Sequence, residues 1–344
     1  MMSVSSRTQM FAVFAVLITA VWTGAGVWLA QAQNPPELER IPFQIATGPV
    51  SGSYLQAGEA IAITISHPSG LVKCQTGAVC GPRGLIATTR SSSGSISNAL
   101  AVQRRSVQSA LVQGDILLAA LDGTGPFADE GSLKDLRVLA RLHDEVLHVA
   151  VSTRSRVKRL KDLQGKRIAI DTANLATEYT VRQLFAAAGV RFPRFVRRMS
   201  ADRAAEDIRA GKIDALFVLG VAPVSAVDQL MRRGYARLLG LEARTLQKLS
   251  RRNEMYSRLS LAAGTYRSSK AIQALGVASV WVVHKSFDRV SATQIVKAFW
   301  NPANQRELKT RGAFSASLDH KKATVVANAP LHDGARRFYA NLSR

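Results

Sequence analysis

An α/β protein of two lobes is predicted by three observations. Short apolar runs at 43–47, 85–89 and 107–112, and again at 167–170, 195–199 and 213–219, are separated by stretches that include helical spacing. Strand, helix, strand alternation of this kind argues parallel sheets with right-handed crossovers. Polar loops follow several of the runs, and open α/β sheets bind ligands at the C-terminal ends of their strands. Finally, 344 residues are long for one core and comfortable for two.

Taken in order, the chain begins with a leader. Arg7 is the one charge before a run, Met10 to Ala30, that carries none, and Ala30-Gln31-Ala32 has the small-x-small pattern of a signal-peptidase site. Residues 1–32 read as a secretory signal peptide. The competing reading is a retained membrane anchor, because the uncharged run reaches the roughly 20 residues that span a bilayer. A polar, Pro-bearing tether at 33–42 precedes the first strand. The loop Gly48-Pro49-Val50-Ser51-Gly52-Ser53 then opens a helix whose apolar face is Tyr54, Ala57, Gly58, Ile61, Ala62 and Ile65.

The stretch from Gly84 to Asp115 repeats this plan. Leu85–Thr89 is a strand, Ser91 to Ser95 a serine-rich loop, and Ile96, Ala99, Leu100 and Gln103 mark a helix. A helix N-terminus offers unpaired N–H groups and a positive dipole end, which suits an anion. The alternative is that Ser93 or Ser95 only caps the helix. Val107–Val112 forms the next strand and ends at the polar turn Gln113-Gly114-Asp115. Residues 138–151 read as two strands broken at His143-Asp144-Glu145, where the chain passes between lobes.

Beyond that point, Asn174 or Thr177 caps a helix running to Ala188, and Ser200 and Asp202 open one reaching Ala210. Ala236–Leu241 is a strand and Ala278–His284 is the returning strand. Helices near 292–300 and 335–342 then close the first lobe. The lobes are therefore expected at 43–144 with 278–344, and at 145–277.

Composition narrows the function. Cys74 and Cys80, a lone close pair in an exported chain, are expected to form a disulfide. With His67 alone nearby they make a poor zinc set, and no metal is expected. The net charge of +22 raises nucleic-acid binding as a question. Basic residues are spread along the chain without aromatic interleaving, so no nucleic-acid partner is expected. Transient association with anionic membrane surfaces, and a field that gathers anionic solutes, fit better. No G-x-S-x-G, H-E-x-x-H, Walker A or G-x-G-x-x-G motif is present and the six histidines are scattered. No catalytic residue and no cofactor are expected.

Several segments together resemble the TAXI family, the solute-binding receptors of tripartite (TRAP) transporters. They are GSYLQAG, CGPRGLIA, SSSGSISN, the Gln-Gly-Asp turn, GTGPF at 123–127, LKDLQGKRIAI at 160–170, AGKIDALFV at 210–218, AGTY at 263–266 and LHDGARRFY at 331–339. The resemblance spans about Phe43 to Tyr339. It implies a two-lobed, type II periplasmic-binding-protein-like α/β fold with a hinged interlobe cleft. It also implies a periplasmic receptor that hands its solute to TRAP membrane subunits.

The cleft walls it implies are Ser51, Gly52, Ser53 and Tyr54, then Ser92, Ser93, Gly94 and Ser95, then Gln113 and Asp115, from the first lobe. From the second come Thr177 and Glu178 after Ala176, and the turn Gly220-Val221-Ala222-Pro223. The solute it suggests is a small organic anion, a dicarboxylate or an acidic or amidic amino acid. Several features depart from the family: GPVSGS and DTANLATE stand where it has Gly-rich turns, Gly114 replaces a serine, and Arg90 stands where related chains carry glutamine. Arg90 is expected to hold a ligand carboxylate, the alternative being an outward-facing surface residue. Two further readings stay open: a sensor for a signalling partner, and a periplasmic hydrolase.

Overall fold

The computed structural model describes residues 40–50, 52–68, 74, 78–172, 176–266, 270–312, 314–315 and 318–342. The leader, residues 33–39 of the tether, Ser51 and Asn174 lie outside the described residues. Among the described residues ten strands form one sheet. β1 (Ile41–Ala46), β2 (Leu85–Arg90) and β3 (Ser109–Gln113) run parallel at one end in the order β2-β1-β3. β5 (Arg167–Asp171), β6 (Phe195–Met199) and β7 (Ala215–Gly220) run parallel at the other in the order β6-β5-β7.

Between them lie two long antiparallel strands, β4 (Leu136–Ser152) and β10 (Ile272–His284). β4 is therefore continuous where the sequence suggested a break. His143-Asp144-Glu145 marks a change of neighbours: β10 pairs with β4 up to Leu147, and β7 takes over from Val146. The returning strand likewise starts before Ala278, because 272–277 pair with β9 (Tyr256–Leu261). The short β8 (Ala236–Leu238) pairs with the end of β4.

Helices cover both faces. α1 (Ser53–Ile65), α2 (Ser95–Gln103) and α3 (Gly114–Asp122) connect the strands at one end. α4 (Thr177–Ala188), α5 (Ala201–Arg209), α6 (Ser225–Arg232) and α7 (Ala243–Arg252) serve the other. α8 (Arg289–Phe299), α9 (Pro302–Leu308) and α10 (Asp333–Leu342) follow β10. Strand side chains alternate between faces, and the core divides accordingly. Leu111, Leu139, Trp281 and Val283 join one apolar cluster with α1 and α8, while Val112, Val138, Val280 and Val282 join another with α2 and α3. The far end repeats the pattern: Leu147, Val149 and Val151 pack with α4 and α7, Val146 and Ala150 with α5 and α6.

Local signals explain the helix ends. Ser200, Asp288 and Asn301 accept N–H bonds in the first turns of α5, α8 and α9. α4 stops at Gly189, whose φ of 67° suits glycine. Cys74 and Cys80 are joined in a disulfide with Cα atoms 5.8 Å apart. Among the described residues no helix is long and apolar enough to cross a membrane.

Candidate functional site

Loops after the parallel strands meet around a cavity of about 320 Å³. Gly48, Pro49 and Gly52 come from the loop after β1, and Ser53, Tyr54 and Gln56 from α1. Gly94 precedes α2, Asp171 ends β5, and residues 200–202 and 218–226 come from the other end of the sheet. Glu145 of β4 and Phe314 complete the lining.

Two small residues and one amide hold the first-end loops in place. A Cβ on Gly58 would clash with Thr47 Cγ2, so the glycine lets α1 settle against the end of β1. Thr47 N–H and Oγ1 both donate to the Arg90 carbonyl, at 2.9 and 3.1 Å, which ties the ends of β1 and β2 together. Buried Asn98 donates to the carbonyls of Thr47 and Leu111, at 2.6 and 2.7 Å, and so links β1 to β3.

Glu145 dominates the electrostatics. Its Oε1 accepts from Ser53 Oγ at 2.7 Å, while Oε2 is buried with no hydrogen-bond partner. Burial pushes its carboxyl up to about 7; the Ser53 hydrogen bond and the close Tyr54 hydroxyl pull the other way, and the nearby Asp115 adds to the rise. The Tyr54 hydroxyl lies beside Glu145 and Ser95 but forms no hydrogen bond of good geometry, and burial holds its pKa well above the usual value. Below Tyr54, His143 packs edge-on to it and to Phe314, with ring centroids 6.3 and 5.7 Å apart. Burial pulls His143 down to about 4, so it is neutral.

The structure brings together only part of the set expected from sequence. Gly52, Ser53, Tyr54, Gly94, Val221 and Pro223 line the cavity, with Ala222–Pro223 in a cis peptide. Ser51 lies outside the described residues. Ser92 is occupied with its own loop, donating to Asn98 Oδ1 at 2.7 Å and accepting from Gly94 N–H at 3.0 Å. Ser93 is exposed. Neither Ser93 nor Ser95 caps α2, whose N-cap is Gly94; instead Ser95 Oγ accepts the Gln113 N–H at 3.0 Å.

Gln113 is fully buried off the cavity lining, and both its amide atoms lack a partner, as does Thr177 Oγ1. The polar turn expected at 113–115 is the first turn of α3, with Asp115 bonded to Thr180 and Tyr256. Glu178 is drawn away into ion pairs with Arg198 and Arg182; these outweigh the effect of its burial and lower its pKa. Arg90 ends β2 with an exposed side chain and is not on the cavity wall.

Three acidic residues on the wall were not expected from sequence: Glu145, Asp171 and Asp202. Asp171 accepts the Ala201 N–H at 2.9 Å and so positions the start of α5. A signal for Glu145 was present, since three consecutive titratable residues interrupt an otherwise largely apolar run. Among the described residues no group of three or more His, Cys, Asp or Glu is placed to hold a metal ion.

Each end of the sheet sets three parallel strands in the order second, first, third beside a long antiparallel strand. This is an α/β fold of the type II periplasmic-binding-protein kind. Residues 45–341 match the NMT1-like family, and the chain belongs to it. It is similar to a protein from Bordetella bronchiseptica RB50, with 18% identity, 90% of this chain and 100% of that one covered, and a TM-score of 0.49. It is also similar to a TctC solute-binding protein from Polaromonas, with 16% identity, 90% and 99% covered, and a TM-score of 0.47. A third is the alkanesulfonate-binding protein SsuA from Xanthomonas axonopodis pv. citri, with 14% identity, 88% and 84% covered, and a TM-score of 0.40.

Proposed function

We propose that this chain is an exported solute-binding receptor that captures a small polar organic solute and delivers it to a membrane transporter. One observation carries the reading. A cavity of about 320 Å³ is walled by loops from both ends of one sheet, and it offers hydroxyls, carboxylates and helix-terminal N–H groups with, among the described residues, no nucleophile–base pair. In this reading residues 43–144 with 278–344 form one lobe and 145–277 the other. The cavity is the cleft between them, and bending where β4 and β10 pass from one lobe to the other opens and shuts it. The TAXI-like motifs favour TRAP membrane subunits as the recipient.

Mass spectrometry of the small molecule released from receptor purified from the periplasm identifies the solute. Small-angle scattering with and without that solute then tests closure. A smaller radius of gyration at saturation is expected. An unchanged radius would count against the hinge.

A further inference from the structure

We infer that the solute carries a protonated amine and that Glu145 and Tyr54 receive it. This rests on the receptor reading and names its substrate class, an ammonium-bearing solute instead of a dicarboxylate. The chain holds 46 Lys and Arg against 24 Asp and Glu, yet among the described residues no Lys, Arg or His is on the cavity wall. Glu145, Asp171 and Asp202 are. A wall that reverses the sign of the whole protein sets its own selectivity, because short-range charge and hydrogen bonding decide which solute stays.

The acidic wall alone would not define a site; the unfilled bonds do. Glu145 is 3% exposed, one oxygen is held by Ser53, and the other, though near the Tyr54 hydroxyl, makes no hydrogen bond of good geometry to any described residue. Tyr54, also 3% exposed, presents a hydroxyl without a partner beside that carboxylate. Buried polar atoms are rarely left in this condition unless something else completes them. An ammonium brings three donors and the opposite charge: one N–H for the open Glu145 oxygen and one for the Tyr54 oxygen. A dicarboxylate would instead set like charge beside Glu145, with only the N–H groups at the starts of α1 and α5 to meet it.

Four probes of one length separate the classes: 1,4-diaminobutane, 4-aminobutanoate, butane-1,4-diol and succinate. Calorimetry is run at pH 8, above the value of about 7 to which burial, with Asp115 adding and Ser53 and Tyr54 opposing, brings Glu145. Both amines are expected to bind, and succinate and the diol to bind at least tenfold more weakly. Glu145→Gln is expected to weaken the amines at least tenfold while keeping the wild-type circular dichroism spectrum. Asp202→Asn, at an exposed position that leaves the fold untouched, is expected to weaken them two- to fourfold.

Preferred binding of succinate or the diol would overturn the amine assignment and leave the receptor standing. So would release of an amine-free molecule from the purified protein. Unchanged amine affinity in Glu145→Gln would overturn it as well. If no probe binds and no molecule is recovered after incubation with periplasmic extract, the receptor reading itself falls.

Discussion

Asp115 and Glu145 are both buried carboxylates, both raised by desolvation, and their surroundings could hardly differ more. Asp115 has a complete shell: Thr180 Oγ1 at 2.6 Å, Tyr256 OH at 2.9 Å and the Ile116 N–H at 2.9 Å. Glu145 has Ser53 and one open oxygen. Asp115 thus fastens α3 to α4 and β9, which in the proposed division joins one lobe to the other. Glu145 is left with bonding capacity that no described residue fills. A satisfied buried acid is scaffold, and an unsatisfied one beside a cavity is a candidate for binding.

The largest effect is expected from breaking the satisfied shell. Asp115→Ala leaves the Thr180 and Tyr256 hydroxyls buried without their acceptor. At about 1–3 kcal/mol for each of these two groups, the loss of folding stability should be about 2–6 kcal/mol. Urea unfolding monitored by tryptophan fluorescence measures it. A loss below about 1 kcal/mol would mean that Asp115 is not the fastening that its geometry suggests.

A smaller and oppositely signed effect is expected at Glu145. Its folded carboxyl titrates at about 7 against an ordinary 4.5, so between these values the folded state keeps a proton that the unfolded state releases. Its contribution to stability is therefore present at low pH and is lost as pH rises through about 7. His143 and His148, both held near 4 by burial, work the other way and favour folding as pH rises from 4 to 6.5. Comparison with Glu145→Gln cancels the histidines. Relative to wild type, the variant should gain stability between pH 5 and pH 8, by up to about 3 kcal/mol. A difference that stays flat with pH would show that Glu145 is solvated or paired.

This contrast also shows what the sequence could reveal. The alternation of strands and helices and the segments that carry the cavity were legible, because apolar runs and polar breaks are local signals; Gly52 and Val221 sit on loops after such strands, and Ser53 and Tyr54 begin the helix that follows one. Glu145 was harder to see. It lies inside a strand whose partner changes at that point, and only the pairing of β4 with β10 and then β7 shows that the titratable triplet is not a loop. Asp115 looked like a ligand group in a polar turn, but that turn is helical and its carboxylate is consumed by Thr180 and Tyr256, 65 and 141 residues away. Distant partners of this kind leave no local pattern.

The smallest effect is expected at Arg90, and it tests whether the acidic wall is complete. The residue follows a strand directly and was the natural cation for an anionic solute. Its backbone carbonyl is engaged by Thr47, but its side chain is exposed and off the wall. Arg90→Gln keeps that carbonyl and removes only the exposed charge, so stability should change by no more than about 0.5 kcal/mol. Affinity for the solute released from the receptor should stay within twofold, apart from a small, salt-dependent change in association rate, because a distant exposed charge acts mainly through the long-range field. Calorimetry at two salt concentrations reads both. A tenfold or greater loss that persists at high salt would place the guanidinium on the solute, and the acid-walled cavity would no longer describe the site.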